Sequence, residues 1–408
     1  MFRFRFFIIV LFLCMLFSHA YALKPAELHP VRNKMNKDAS VISTSSSPFA
    51  KLHGIPPRAV NLSDGFWKKR FTVNMERSIP TFFTLLNNVG ARDKLLDRKN
   101  KARGNSDADL AKWMEAAFFV LQSEDNKQLR NVMWNWRLLH AGGEAIFTDI
   151  MELALYNGVL SGVSIGGDKY FYWNPLLSRF DFAEEQYVEG AKDLLALKKS
   201  RGTSLNIRQP YYRTPCCIPN IQRIIASLPG YMYSTSAKGL WIHLYHSGRL
   251  NWHLENGKEL TIHQNTKYPW ENTVEITFEN VPAEEFSLFF RVPGWTTSAG
   301  VSVNGRFFRS IHKSEHYHEI RRSWEKKDRI EIVFDMPVRV VHAHPHLREN
   351  SGCVAIRRGP LIYCVESVDQ QNVSVFDIVL PLNLSSISRD FEVMYDPNLL
   401  GGNRNNNE

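Results

Sequence analysis

Two hydrophobic periods divide the chain. From about residue 64 to 200, apolar residues recur at three- and four-residue spacing, the mark of helices with one buried face. Ser78, Ile79, Phe82, Leu85 and Leu86 form one such segment. Asp107 to Leu121 form another, with Trp113, Ala116, Ala117, Val120 and Leu121 on its apolar side. A third helix is expected from about Leu129 to His140 and a fourth from about Phe147 to Leu160. Trp134 and Trp136 of the third read as core, with the lining of a sugar cleft as the alternative. Glu144 and Glu152 lie in or beside helical stretches and are expected to face solvent.

After Gly158 the pattern shifts. Lys169 to Pro175 is aromatic, strand-like and stopped by proline; Tyr172 and Trp173 would point to opposite faces, as core or toward a cleft. A further helix runs through Ile221, Ile224, Ile225 and Leu228 and stops near Pro229-Gly230, with Pro219 in its first turn. From Gly239 onward the period is two. Leu240, Ile242 and Leu244 alternate with Trp241, His243 and Tyr245; Leu260 and Ile262 with Thr261 and His263; Val274, Ile276 and Phe278 with Glu275 and Thr277. Turn signals recur at Asn256-Gly257, Asn304-Gly305 and Arg358-Gly359, a β-sandwich pattern.

Composition bounds the rest. The 408 residues, 44% hydrophobic, suffice for two ordinary domains. The net charge of +9 comes from basic residues interleaved with acids, as in Arg321 to Asp328, which excludes a nucleic-acid stripe. Residues 1–22 have the form of a secretory signal: basic Arg3 and Arg5, apolar Ile8 to Phe17, then Ala20-Tyr21-Ala22. The expected location is secreted or periplasmic, with no membrane contact after signal removal. Residues 23–58, rich in Ser, Pro and Lys, read as a poorly ordered lead-in, with order beginning around Val60. Residues 59–237 would form a helical domain, 238–400 a β-sandwich domain and 401–408 a tail. Asn61, Asn372 and Asn383 head glycosylation sequons, relevant in a eukaryotic host.

The candidate chemistry centres on Pro215-Cys216-Cys217-Ile218-Pro219-Asn220. Two adjacent thiols at or just before a helix start meet unpaired N–H groups and the positive end of the dipole, which favour a thiolate. A thiolate is a nucleophile or a metal ligand; packing of two small apolar residues is the alternative. Cys353 and Cys364 flank Arg358-Gly359 symmetrically, so a hairpin there would set them opposite each other, as a disulfide or as buried thiols. His342, His344 and His346 alternate, but Pro345 breaks their strand and no matching acid or thiol completes a metal site. His312, His316 and His318 read as surface residues. No pair of carboxylates stands out as glycosidase equipment.

Several stretches resemble glycoside hydrolase family 127: Trp134 to Leu139, Met151 to Gly162, Phe171 to Pro175, Cys216 to Asn220, Ala226 to Tyr231, Arg291 to Trp295 and Arg358 to Cys364. They run in order over about residues 60–400. The resemblance implies an (α/α)6 helical barrel followed by β-sandwich domains, and a retaining β-L-arabinofuranosidase acting on an arabinose-containing glycan or glycoconjugate. It implies a cysteine nucleophile held on zinc: Cys216 as nucleophile, Cys217 as zinc ligand and Tyr172 near the substrate. The family's Glu-Thr-Cys-Ala segment, which supplies the acid/base and a further ligand, is absent. Glu124 falls at the Glu offset, but Asn126 falls where the Cys belongs. Asp107 to Leu129 resemble a much earlier barrel helix, which implies an internal deletion joining Leu129 to Arg130. Length agrees: twelve barrel helices need on the order of 200 residues, more than residues 64–232 supply. The expected class is therefore α+β and multidomain, a partial (α/α)6 barrel followed by a β-sandwich. Its zinc-dependent hydrolysis would be impaired, with an inactive remnant or a carbohydrate-binding protein as the alternative.

Overall fold

The computed structural model describes residues 49–88, 127–171, 208–210, 217–312, 316–344 and 352–365, with further isolated positions at 40–47 and 346–391. The helices are α1 (Phe66–Val73), α2 (Ile79–Asn88), α3 (Lys127–Gly142), α4 (Ala145–Leu153) and α5 (Cys217–Ser227). Wider π-type turns, Asn74–Ser78 and Ala154–Val159, follow α1 and α4. The expected helix at Asp107 to Leu121 lies outside the described residues. No described helix is long and apolar enough to cross a membrane.

The helical period was read correctly where it can be compared. Ile79 and Phe82 of α2, Trp136 and Leu139 of α3, and Met151 of α4 all enter one hydrophobic core. Trp136 is fully buried against Tyr231 and His243, as its core reading required.

Three sheets follow among the described residues. The first has five strands in the order β1 (His53–Gly54), β3 (Tyr233–Ser236), β4 (Gly239–Ile242), β8 (Phe286–Val292) and β11 (His316–Arg322). The second has seven: β10 (Arg306–Ile311), β9 (Ala299–Val303), β12 (Arg329–Phe334), β7 (Thr273–Asn280), β6 (Glu259–Thr266), β5 (Gly248–His253) and β2 (Val60–Leu62). The third joins β13 (Val338–His342), β14 (Val354–Arg358) and β15 (Leu361–Tyr363). The two large sheets face each other. Phe278 of β7 meets Phe286 of β8 edge-on at 6.4 Å, and Gln264 of β6 donates to the Tyr233 hydroxyl at 2.6 Å. The Asn304-Gly305 turn has positive φ at both residues (54° and 75°), as a tight β9–β10 hairpin requires.

One sequence expectation changes. Order begins before Val60: Leu52 and Ile55 are buried, and β1 pairs with β3. The alternation at 240–245 has residues of both faces buried. His243 and Tyr245 are as buried as Leu240 and Ile242. The five-stranded sheet turns one face to the other sheet and carries helices on its second face, where His243 touches Trp136 of α3 and Tyr317 bonds Thr148 of α4 at 2.8 Å.

Candidate active site

Helix α5 is the scaffold of the cysteine pair. It begins at Cys217, with Pro219 in its first turn, where a missing N–H costs no intrahelical bond. Cys216 precedes it and lies outside the described residues, as do Tyr172, Glu124 and Asn126; the Cys217 side chain is likewise outside the description. What the structure places is the helix itself. Ile218, Ile221, Ile224, Ile225 and Leu228 are in the core. The polar side is also sealed: Asn220, Gln222 and Arg223 are buried. A helix buried all round cannot slide or rotate without breaking contacts on every face.

A polar cluster fixes its register. Gln222 donates to the Ser78 carbonyl at 2.7 Å and to the Tyr170 hydroxyl at 3.3 Å. Asn74 donates to the Gln222 carbonyl at 2.7 Å. Ser78 and Tyr170 both donate to the Gly167 carbonyl, at 2.6 and 2.7 Å. Burial pushes the Tyr170 hydroxyl up to about 12, so it stays a neutral donor. Gly167 has φ +76°, and a Cβ there would lie 2.4 Å from Val73 and 2.5 Å from the Ser78 hydroxyl, so only glycine fits. Tyr170 pairs as an extended residue with Val163 and Gln209, while positions 172–175 of the expected strand lie outside the described residues. Arg208 stacks on Phe171 at 4.4 Å and donates to the Ser161 carbonyl at 2.9 Å.

The expectation for Glu152 is corrected. It is 1% exposed, whereas Glu144 is on the surface as expected. Glu152 accepts from Arg291 Nη2 at 2.6 Å, Tyr268 at 2.6 Å and Trp295 Nε1 at 3.1 Å. Asp149, three residues earlier on the same face of α4, accepts from Arg291 Nη1 and from the Gly294 N–H at 3.1 Å. Burial pushes the Asp149 carboxyl up to about 6 against the pull of Arg291. The Arg291 guanidinium, though buried, is held fully charged by Glu152 and Asp149. Every one of these bonds is internal, and together they join α4 to β8. Sequence reasoning passed it over, although a charge inside an apolar run, Arg291 in Phe289-Phe290-Arg291-Val292, was a usable signal.

The remaining candidates separate. His342, His344 and His346 are exposed. His312 and His316 are exposed as expected, and His318 is half-buried. The hairpin at Arg358 pairs Arg358 with Leu361, so its turn is Gly359-Pro360 and the register differs by two from a turn on Arg358-Gly359. Gly359 supplies the positive φ of 57° and Pro360 needs no N–H partner there. Cys364 therefore lies beyond Tyr363, whose partner is Ile356, and is not opposite Cys353; both thiols are exposed, not buried. Among the described residues no three His, Cys, Asp or Glu side chains gather around a point. Two adjacent thiols supply two donors where a protein-held zinc ion takes three or four.

Comparison with known proteins bears on the same segments. Three family models match the chain: the catalytic domain of β-L-arabinofuranosidase GH127 over residues 128–230, the GH127 middle domain over 239–336, and the glycoside hydrolase family 127 C-terminal domain over 338–408. A non-reducing end β-L-arabinofuranosidase of Bifidobacterium longum subsp. longum is 30% identical over 278 residues, which is 66% of this chain and 39% of that protein. The chain thus spans about two fifths of the length of that curated relative. A GH127 β-L-arabinofuranosidase structure from Geobacillus stearothermophilus is 36% identical, with a TM-score of 0.50, over 59% of this chain and 36% of that one. A glycoside hydrolase structure aligns over 82% of this chain and 86% of that one at 22% identity and a TM-score of 0.63, a likeness of fold.

Proposed function

The chain belongs to glycoside hydrolase family 127, and from that premise we propose that it is a secreted protein of the β-L-arabinofuranosidase type, impaired in hydrolysis. Its substrate is a carbohydrate, an arabinose-containing glycan or glycoconjugate. Cys216 is the nucleophile, Cys217 its neighbour in the ancestral zinc site, and Tyr172 lies beside the sugar. The helical part is an incomplete (α/α)6 barrel, and zinc belongs to its ancestry.

The observation that carries the reading is helix α5, buried on all sides and beginning at Cys217. A thiolate at such a helix start is stabilised by the dipole. Attack on the anomeric carbon forms a thioglycosidic bond, and the leaving oxygen departs with the bonding pair. That oxygen needs a proton unless it is already a good leaving group. Asn126 stands where the resemblance requires a Cys, and the Glu-Thr-Cys-Ala segment is missing. The catalytic-domain match beginning at residue 128, beside the Leu129–Arg130 junction, supports the loss of that segment. The same loss favours the second reading, an inactive remnant that at most binds carbohydrate.

The test is hydrolysis of two β-L-arabinofuranosides, one with a nitrophenyl and one with an alkyl leaving group, with zinc and a thiol reductant present. The reading expects slow release of nitrophenol, none of the alcohol, and loss of both in Cys216→Ala. Equal rates for the two would mean that an acid is present. Undiminished rates in Cys216→Ala would reject the nucleophile. No release from either would favour the remnant.

A further inference from the structure

We propose that Asn61 is a competent acceptor for an N-linked glycan when the chain passes through a eukaryotic secretory compartment. Asn61-Leu62-Ser63 is a sequon with no proline at its centre. The structure gives it a suitable place. It lies at β2, the last strand of the seven-stranded sheet. Val60 and Leu62 are each 6% exposed and face the core, whereas Asn61 and Ser63 are exposed. The two-residue period of a strand puts the acceptor amide and the sequon hydroxyl on one outward face. The Ser63 backbone is pinned by its N–H to the Ser247 carbonyl at 2.9 Å, which holds that geometry.

The neighbouring side chains accommodate a sugar. Asn61 lies opposite Arg249, which lies opposite His263. Both bond Glu279, at 2.9 and 2.6 Å, in a solvent-exposed ion cluster. These charges are satisfied by one another, and among the described residues neither the Asn61 amide nor the Ser63 hydroxyl makes a hydrogen bond with them. A glycan at Asn61 would therefore cover hydrophilic surface and displace no packing. In the transfer, the Asn61 amide nitrogen bonds to C1 of a lipid-linked oligosaccharide. The C1–O bond to the lipid pyrophosphate breaks, the pyrophosphate leaves with the electron pair, and the amide proton goes to the transferase.

The inference rests on entry into the secretory route, which the segment at residues 1–22 would direct. Full-length chain is expressed in a eukaryotic secretory host in two versions, one with residues 1–22 and one with the host's own signal in their place. Both carry Asn372→Gln and Asn383→Gln, so that only Asn61 can be modified. The expected result is a mobility shift on treatment with peptide N-glycosidase F and conversion of Asn61 to Asp in the peptide map. Asn61→Gln and Ser63→Ala should each abolish the shift. Glycan at Asn61 only in the version with the host signal supports the site and rejects the native leader. An unmodified Asn61 peptide from secreted protein with the host signal overturns the proposal.

Discussion

Arg291 of β8 and Glu152 of α4 meet at 2.6 Å with both side chains sealed from water, 139 residues apart in sequence. The pair, with Asp149, ties the helices to the five-stranded sheet. Breaking a buried pair costs far more than the pair contributes, because the surviving charge stays buried alone. Glu152→Gln and Arg291→Met should each lower unfolding free energy by about 3–5 kcal/mol in urea denaturation. Replacing Asp149, Glu152 and Arg291 together with apolar residues of similar volume should cost less than Arg291→Met. A loss below about 1 kcal/mol in either single variant, the size of an exposed pair, would contradict this account of the junction.

Gly167 should not tolerate a side chain. Its positive φ and the 2.4 Å approach to Val73 leave Gly167→Ala both strained and crowded. The expected loss is about 2–4 kcal/mol, and it should loosen helix α5 through Ser78 and Gln222. Hydrogen exchange of the Ile221–Ser227 amides should then speed up more than that of β6. Unchanged protection in α5 would remove the polar cluster from its assigned role.

Acid should weaken the fold. Burial holds His140 at about 3 and His246 at about 4, and keeps His243 well below the ordinary 6.5. Depressed folded values contribute stability that is present above about 6.5 and is lost as pH falls toward those values. Asp149 has the opposite sign: raised from 3.8 to about 6, its contribution is present below about 4 and lost as pH rises through 6. Near pH 5, unfolding then takes up about two protons net, a slope of about 3 kcal/mol per pH unit. The melting temperature should fall between pH 7 and pH 5, and His140→Gln should flatten the fall. A flat or rising profile would contradict the burial of these histidines.

The Cys353 thiol is exposed. A maleimide reagent should label it within minutes under native conditions, and a non-reducing peptide map should lack a Cys353–Cys364 bridge. Labelling only after denaturation would place the β14–β15 register in error.

Local patterns carried much of this fold. The alternation of Val274, Ile276 and Phe278 became β7, and the spacing of Ile221, Ile224, Ile225 and Leu228 became α5. Asn304-Gly305 formed the turn its residues demand. What escaped depended on distant partners. Glu152 looks like a surface residue until Arg291, on a strand far along the chain, neutralises it. His243 and Tyr245 gain their burial from distant partners, Trp136 of α3 over the first and Tyr268 and Phe334 over the second. The two-residue register at Gly359-Pro360 turned on which residue accepts a positive φ, which a symmetric count from the cysteines does not weigh. At the candidate site the helix start was legible from Pro219, while the candidate residues Cys216 and Tyr172 lie outside the described residues.

The central claim, that Cys216 attacks the sugar without an acid to complete efficient turnover, is tested most directly by mass spectrometry of protein incubated with a dinitrophenyl β-L-arabinofuranoside. The account predicts one pentosyl group on the peptide carrying Cys216, absent from Cys216→Ala. An adduct on another residue, the same adduct mass in Cys216→Ala, or no adduct at all would contradict it.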